Sequence, residues 1–326
     1  MKILFVFTGG TISTTLTDSV MKVDKNKPYA LISAYKSKFG IDFEYDCISP
    51  YLELSENCKG VHLDKLCSCI KERLNEDYDG IIVTHGTDTL QYSAAALSYC
   101  VGSQSIPVCI VSASYPIEDE ISNALDNLHG AVLLIKNKLG KGVLVPFRNT
   151  KDSKIKVHIG TRLLSSIAFS DEVLSANDGL YGVFDSTFTF TKNKDLPTSS
   201  DAIAPFDPCF SLSSPVLFIN AHVGMNYPVL SQNVRYVLIS SYHSGTVDTK
   251  SESAKKFYAT AKDMGIKVFI SGVSKGNVYE STTVFSDFSI TPLPDIAPIS
   301  AYIKLWLISN VGENADKVFL PLGNDL

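Results

Sequence analysis

The stretch KILFVFTGG at residues 2–10 decides the fold, because an apolar run stops there abruptly at a threonine and two glycines. Short runs of Ile, Val and Phe bounded by turn residues are typical of strands buried on both faces of a parallel sheet. The run is shorter than the roughly 7–15 apolar residues of a signal peptide. We therefore predict a buried first strand over residues 2–7, followed by a tight turn.

Runs of the same kind recur through the first half of the chain, and amphipathic segments separate them. Apolar residues repeat at helical spacing from Leu63 to Leu74 and from Ile121 to Ile135. Alternation of strand and helix predicts a doubly wound α/β sheet, which binds ligands beyond the carboxyl ends of its strands. The further strands are predicted at residues 80–84, 106–111 and 142–147, with another helix at residues 90–101.

The pattern changes after about residue 180. A short hairpin is predicted over residues 181–190, and the stretch 192–214 is rich in Pro, Asp, Ser and Lys with little periodicity. A second α/β series follows, with strands at residues 216–220, 236–240 and 267–271 and helices at residues 252–264 and 299–308. The sequence thus predicts two unequal α/β domains: a larger N-terminal catalytic domain over residues 1–191, a linker over 192–214, and a smaller C-terminal domain with a parallel sheet over 215–326.

Composition excludes several kinds of partner. The 29 Lys and Arg residues against 34 Asp and Glu residues leave a net charge of −5, which disfavours binding to a phosphate backbone. No stretch approaches the roughly 18 apolar residues of a transmembrane helix. The seven cysteines include no CxxC pair and lie mostly in apolar patterns, which is typical of reduced buried thiols. We therefore expect a cytoplasmic protein that binds neither nucleic acid nor membrane.

Two hydroxyl-rich turns follow predicted strands: TGGTIS at residues 8–13 and HGTDT at residues 85–89. Both should face one crevice, where glycines expose N–H donors and a threonine Oγ can attack a carbonyl. The residues 87–89 are equally natural N-caps for the helix that follows. TGGTIS lacks the third glycine of a dinucleotide site and the lysine of a phosphate-binding loop. His85, His222 and His243 show no metal-ligand spacing, so no metal site is expected.

Together, TGGTIS and VTHGTDT (residues 83–89) resemble the two signatures of the bacterial-type L-asparaginase and glutaminase family, in particular its cytoplasmic, type I-like members. The resemblance extends over the whole chain. It implies a large N-terminal and a smaller C-terminal α/β domain, a homodimer or homotetramer, a small-molecule amide substrate and no cofactor. Carried over residue by residue, it makes Thr11 the nucleophile that forms an acyl-enzyme, Thr87 the second catalytic hydroxyl, and Tyr29 the tyrosine that assists the nucleophile.

The resemblance also implies a set of substrate-binding residues. Asp88 would hold the α-amino group, Ser55 would hold the α-carboxylate, and Glu56 would lie in the same substrate-binding loop. Gly10 belongs to the turn whose backbone approaches the substrate closely.

The chain departs from the family at two places. Ungapped alignment puts Ile159 where family members have a lysine that polarises the second threonine, and the SDG-like turn reads Ser122-Asn123-Ala124. Lys156, His158 and Arg162 are the nearby substitutes for the missing cation. If residues 154–159 form a strand, Lys156 and His158 share one face. Our hypothesis is that Lys156 supplies the cation through a shifted register.

Three functions follow from these observations. The leading hypothesis is an amidohydrolase that converts L-asparagine to L-aspartate and ammonia. The second is a catalytically impaired homologue that binds an amino acid or amide as a sensor or partner subunit. The third is the tRNA-dependent amidotransferase subunit of the same fold, whose chains carry an additional N-terminal domain, whereas the first strand here begins at Lys2. The preference for L-Asn or L-Gln as substrate depends on about one methylene of pocket volume, and the sequence does not determine it.

Overall fold

The computed structural model describes residues 1–10, 14–17, 20–23, 27–103, 106–196, 200–273, 278–293 and 295–326; for 14–17, 20–23, 27, 28 and 178 it describes the backbone alone. The predicted class of two unequal α/β sheets is confirmed. In chain order the first elements are β1 (Lys2–Phe7), β2 (Thr14–Thr17), β3 (Val20–Val23), α1 (Lys27–Phe39), β4 (Glu44–Ile48), α2 (Gly60–Lys71), β5 (Gly80–Thr84), α3 (Leu90–Val101), β6 (Pro107–Val111), α4 (Ala124–Lys136), β7 (Gly142–Phe147), β8 (Ile155–Ile159), β9 (Leu180–Phe184) and β10 (Phe190–Lys192).

The large sheet has the strand order β10-β9-β8-β7-β6-β5-β1-β4. Its strands from β4 to β7 are parallel, whereas β8, β9 and β10 extend it by antiparallel pairing. β2 and β3 form a separate two-stranded hairpin. The carboxyl ends of β1, β5, β6 and β7 therefore share one edge, as a doubly wound sheet requires.

Helices cover both faces of this sheet, which explains the unbroken apolar runs of its strands. Along β1, Leu4 and Val6 point to a core that includes α2 and α3, while Ile3 and Phe5 point to a core that includes α1 and α4. Successive side chains of a strand leave opposite faces, so both sets are removed from water. This burial on two sides is the signal that made β1 and β5 readable in the sequence.

The remaining elements build a small, entirely parallel sheet in the order β11-β12-β13-β14. Its core and that of the large sheet meet through one helix, because Ile299 and Leu305 belong to the same buried cluster as Leu97. The division into residues 1–191, 192–214 and 215–326 stays a prediction. The elements are β11 (Val216–Asn220), β12 (Tyr236–Ser240), α5 (Glu252–Asp263), β13 (Lys267–Ser271), α6 (Glu280–Thr283), β14 (Ile290–Leu293) and α7 (Pro298–Asn310).

A buried ion pair lies where α3 and α7 meet the segment 321–326. Lys304 Nζ on α7 is 2.6 Å from Asp325 Oδ2, and both side chains are fully buried. Tyr99 on α3 donates its hydroxyl to the same carboxylate oxygen at 3.0 Å. Burial raises the pKa of Asp325 and lowers that of Lys304, and their mutual attraction opposes both shifts. Three parts of the chain that are distant in sequence are thus joined at one carboxylate.

Six elements were not predicted, namely β2, β3, α1, β4, α6 and β14, and one prediction was displaced. α1 has little apolar periodicity, β4 is a polar edge strand whose first three residues are exposed, and β14 has four residues including a proline. The second strand of the predicted hairpin begins at Phe190 instead of Thr187, because the turn at residues 185–189 is closed by hydrogen bonds to the Asp185 carboxylate.

All seven cysteines are free thiols. In the described part of the chain, no helix combines the length and the apolar character that crossing a membrane requires.

Candidate active site

The two glycine-containing turns start side by side at the carboxyl edge of the large sheet. β1 and β5 are adjacent and parallel, and their last residues, Phe7 and Thr84, are register partners. The next residue after β1, Thr8, is buried and donates its hydroxyl to the Thr84 carbonyl at 2.6 Å. The two turns therefore begin next to each other, and that both face one crevice stays a prediction.

Glycines allow the two turns to touch. Gly10 has φ +79°, and a Cβ built on it would lie 2.1 Å from the backbone N of Gly86. A Cβ on Gly86 would in turn lie 2.5 Å from Ser55 Oγ. Any side chain at either position would push the turns apart, so these glycines are needed for close approach of backbone to backbone.

Ser55 and Asp88, both predicted to bind substrate, lie in contact. Ser55 begins a 3₁₀ turn over Ser55–Asn57, and its Oγ donates to Asp88 Oδ2 at 3.2 Å. Thr89 Oγ1 donates to the Ser55 carbonyl at 3.0 Å and so joins the 3₁₀ turn to the turn after β5. The Thr89 side chain therefore does not cap α3, although it stands at the N-cap position. Ser55 is buried whereas Asp88 is exposed, which leaves the carboxylate accessible to a ligand.

A cavity of about 460 Å³ opens beside Thr87 and Asp88. Asp88, Asp171 and Glu172 supply three carboxylates to its wall, and among the residues that the structure describes no Lys, Arg or His lines it. Asp171 Oδ2 accepts hydrogen bonds from the hydroxyls of Tyr115 at 3.1 Å and Thr150 at 3.2 Å. The remaining lining residues are Ser114, Phe147, Ser166, Ile167, Ala168, Phe169, Ser170 and Val173.

Of the three candidate cations, Lys156 is on β8, next to the strand β7 that ends at the cavity. It is paired across the sheet with Phe147, which lines the cavity, but its Nζ is 2.8 Å from Asp152 Oδ2. Ile155 and Ile159 pack in the core on one face of β8, so Lys156 and His158 share the other face, as predicted.

His158 and Arg162 have other partners. His158 Nδ1 lies 2.7 Å from Ser175 Oγ, and burial lowers the pKa of this histidine to about 3, so the ring is neutral. Arg162 donates from Nε to the Asn324 carbonyl at 2.9 Å and from Nη2 to the Leu326 carbonyl at 3.0 Å. Both side chains are therefore held by hydrogen-bonding partners.

The remaining predicted site residues are Thr11, Tyr29 and Glu56. Thr11 lies outside the described residues. Tyr29, on α1, is 54% exposed, and its ring centroid is 6.4 Å from that of Phe7 at the end of β1. Glu56 is exposed in the 3₁₀ turn next to Ser55.

Asn123 bonds to Ser114, one of the residues that line the cavity. Its Oδ1 accepts from the backbone N of Ser114 at 3.0 Å, and its Nδ2 donates to the Arg148 carbonyl at 2.8 Å. An amide can accept and donate in this way, whereas an ionised carboxylate only accepts. The Asn123 side chain therefore connects the segments that follow β6 and β7.

Both ring nitrogens of His85 have hydrogen-bond partners. A carbonyl only accepts, so Nδ1 donates to the Gly86 carbonyl at 2.8 Å, and Nε2 accepts from the Ser93 hydroxyl at 2.8 Å. Burial lowers the pKa of the ring, which keeps it neutral. Within the described ranges, no group of three or more His, Cys, Asp or Glu side chains is arranged to hold a metal ion.

Sequence reasoning missed Ser114 and Ser166. Ser114 follows the end of β6 by three residues, so the rule that ligands bind at the carboxyl edge could have found it. Ser166 lies far from any predicted strand end and carries no such signal. Its Oγ donates to the Thr87 carbonyl at 3.0 Å, across 79 residues of sequence.

Curated relatives include a glutamyl-tRNA(Gln) amidotransferase subunit from Sulfurisphaera tokodaii, 26% identical over 81% of this chain, and the corresponding protein from Thermofilum pendens, 26% identical over 97%. The chain spans 61% of the first relative's length and 72% of the second's.

Solved structures share the fold. The L-asparaginase of Thermococcus kodakarensis superposes with a TM-score of 0.76 at 21% identity, covering 98% of this chain and 95% of that one. A probable cytoplasmic L-asparaginase from Campylobacter jejuni superposes with a TM-score of 0.73 at 21% identity, covering 97% of each chain.

The family described as Asparaginase, N-terminal matches residues 2–184, which is more than half of the chain and includes both turns that meet at Gly10 and Gly86. The protein therefore belongs to the asparaginase family.

Proposed function

We propose that the protein is an amidohydrolase that converts L-asparagine to L-aspartate and ammonia through a threonine nucleophile. The observation that carries the proposal is the contact between Ser55 and Asp88, because Asp88 and its neighbour Thr87 line the cavity of about 460 Å³. A carboxylate and a hydroxyl at this spacing complement the ammonium and carboxylate groups of a free amino acid. The side-chain amide of that amino acid then extends along the turn that carries Thr87.

The reaction would proceed in two steps. Thr11 Oγ attacks the side-chain amide carbon, its proton passes to the leaving nitrogen, and ammonia departs to leave an ester on Thr11. Water then attacks the ester carbonyl, which releases aspartate and restores the hydroxyl. Thr87 supplies the second hydroxyl, and Tyr29 assists the nucleophile. Gly10 lets the backbone approach the oxygen on which negative charge develops.

Substrate binding would redistribute the hydrogen bonds of the empty site. Ser55 Oγ, which donates to Asp88, turns to the α-carboxylate of the substrate, and Asp88 accepts from the α-ammonium group instead. Glu56, exposed beside Ser55, adds negative charge on the side of the ammonium group. The exchange costs little because each polar group leaves one partner for another.

Lys156 is our candidate for the cation that polarises Thr87. Its backbone is paired across the sheet with Phe147, which lines the cavity. A change of rotamer would take Nζ from Asp152 toward the cavity. An amine can lose its proton when it is desolvated, whereas a guanidinium cannot, which favours Lys156 over Arg162. We further propose a cytoplasmic homodimer or homotetramer of two-domain subunits that acts on a small-molecule substrate.

A second candidate function is a subunit that acts with a partner protein or binds an amide without rapid turnover. Two observations favour it. The curated relatives are named as amidotransferase subunits, and the described lining of the cavity contains carboxylates but no cation.

Ammonia release from L-Asn, D-Asn and L-Gln by the purified protein separates the two functions. We expect release from L-Asn to exceed release from D-Asn, because Ser55 and Asp88 contact groups on a chiral carbon. Calorimetric binding of L-aspartate without ammonia release from any of the three amides would favour the partner-subunit function.

Substitution of Asp88 by Asn tests the substrate-binding site. We expect Asp88→Asn to weaken binding of L-aspartate by about 1.5–3 kcal/mol, because a charge-assisted hydrogen bond to the α-ammonium group is lost. Isothermal titration calorimetry gives the affinity. Asp77→Asn is the matched control, since Asp77 is exposed at the opposite end of β5. Equal affinity in Asp88→Asn and wild type would contradict the assignment.

A further inference from the structure

The carbonyl of Thr87 has two hydrogen-bond donors of unequal quality. Ser166 Oγ lies 3.0 Å from this oxygen, and the backbone N of Leu90 lies 3.4 Å from it. The second distance is beyond the usual range for an N–H donor to a carbonyl, so the Ser166 hydroxyl provides the stronger restraint. The peptide between Thr87 and Asp88 is thus oriented mainly by a side chain from another part of the chain.

The orientation of this peptide matters because both neighbouring side chains depend on it. Thr87 and Asp88 flank the peptide, so rotating it moves the Thr87 hydroxyl and the Asp88 carboxylate together. Gly86 precedes it, and a glycine adds little conformational restraint of its own. A contact to this peptide from outside the turn therefore adds to the restraint that Ser55 Oγ gives the Asp88 carboxylate.

Ser166 is itself held in place, because the segment 163–175 is anchored at both ends. Leu163 and Ser175 form an antiparallel bridge, and Leu164 donates its backbone N–H to the Leu174 carbonyl at 2.9 Å. Near the far end, Val173 donates its N–H to Asn149 Oδ1 at 2.9 Å. The segment is therefore anchored by bonds other than the one from the Ser166 hydroxyl to Thr87.

The turn that precedes this segment is fixed by the segment 321–326. Thr161 Oγ1 donates to the Gly323 carbonyl at 2.9 Å, and Arg162 Nε donates to the Asn324 carbonyl. Both Thr161 and Arg162 are buried. The stretch 161–166 therefore bonds to the segment 321–326 at one end and to the Thr87 carbonyl at the other.

We infer that Ser166 is a positioning residue, which orients Thr87 and Asp88 through its hydrogen bond to the Thr87 carbonyl. The expected effect of Ser166 on turnover rests on the proposed function, whereas its expected effect on the backbone at Asp88 does not. Ser166 is exposed, so neither loss of its hydroxyl nor addition of a methyl group should disturb the packed core.

The test compares Ser166→Ala, Ser166→Thr and the matched control Ser165→Ala, which removes a hydroxyl from the exposed neighbouring residue. We expect Ser166→Ala to lower kcat/KM for L-Asn about 2- to 12-fold, which corresponds to the loss of one ordinary hydrogen bond. Ser166→Thr should restore the rate, Ser165→Ala should leave it unchanged, and the Tm of all three should match wild type. A purely structural role would lower the Tm of Ser166→Ala together with its rate.

Nuclear magnetic resonance separates failure of this inference from failure of the proposed function. The backbone ¹⁵N–¹H signal of Asp88 belongs to the peptide that Ser166 restrains, so it should shift in Ser166→Ala and remain in place in Ser165→Ala. If wild type releases no ammonia, the proposed function fails, and this signal together with the affinity for L-aspartate tests the inference. An unchanged Asp88 signal, or an equal rate in Ser166→Ala and wild type, would overturn it.

Discussion

Thr11→Ala is expected to reduce ammonia release from L-Asn by about 10³-fold or more, because alanine has no Oγ with which to form the acyl-enzyme. The assignment of Thr11 comes from the match of TGGTIS to the family's first signature. The measurement is kcat in a coupled ammonia assay. Binding of L-aspartate should persist, since Ser55 and Asp88 are unchanged.

Thr11→Ser is the matched control for this prediction. It retains a nucleophilic hydroxyl and should keep a measurable fraction of the wild-type rate, with the same Tm as Thr11→Ala. If Thr11→Ala kept most of the wild-type kcat, the nucleophile would have to be another hydroxyl, and Thr87 would be the first to test.

Asp325→Asn should have the largest effect on stability, lowering the free energy of unfolding by about 3–5 kcal/mol. The substitution leaves the Lys304 ammonium fully buried without its countercharge, although the Val318 and Leu320 carbonyls still accept hydrogen bonds from it. An uncompensated buried charge is far more costly than the loss of a surface pair. Urea denaturation followed by circular dichroism gives the change.

Two further variants identify the cause. Combining Asp325→Asn with Lys304→Met removes the buried charge and should recover much of the lost stability, because the cost comes from the unpaired ion. Glu252→Gln breaks the exposed pair with Lys255 and should cost less than about 1 kcal/mol. A loss in Asp325→Asn as small as that in Glu252→Gln would show that the buried pair contributes little.

Much of the fold was readable because burial on two sides leaves a strong pattern. β1, β5 and β7 are fully or almost fully buried, and their unbroken apolar runs predicted strands close to the observed bounds. β4 was missed for the converse reason. It lies at the edge of the sheet, where side chains reach solvent and charged residues are tolerated, so its pattern is that of a loop.

Some residues of the candidate site could likewise be identified from the sequence, and others could not. Thr87 and Asp88 were identified because they follow a predicted strand directly, and strand ends of a parallel sheet share one edge. The contact of Ser55 with Asp88 followed from a resemblance and not from spacing, since the two residues are 33 positions apart. Ser166 offered no pattern at all, because an exposed serine in an irregular segment resembles any other.

By itself, the sequence determined the α/β class, the positions of its buried strands and the edge on which the two turns begin, since these depend on local periodicity and on the shared edge of parallel strands. Only the tertiary structure decided which hydroxyl holds the Thr87 carbonyl, that Lys156 is paired with Asp152, and that Asp325 joins α3 to α7. Such contacts depend on distances of a few ångströms between segments remote in sequence. No residue pattern encodes those distances until the packed core sets them.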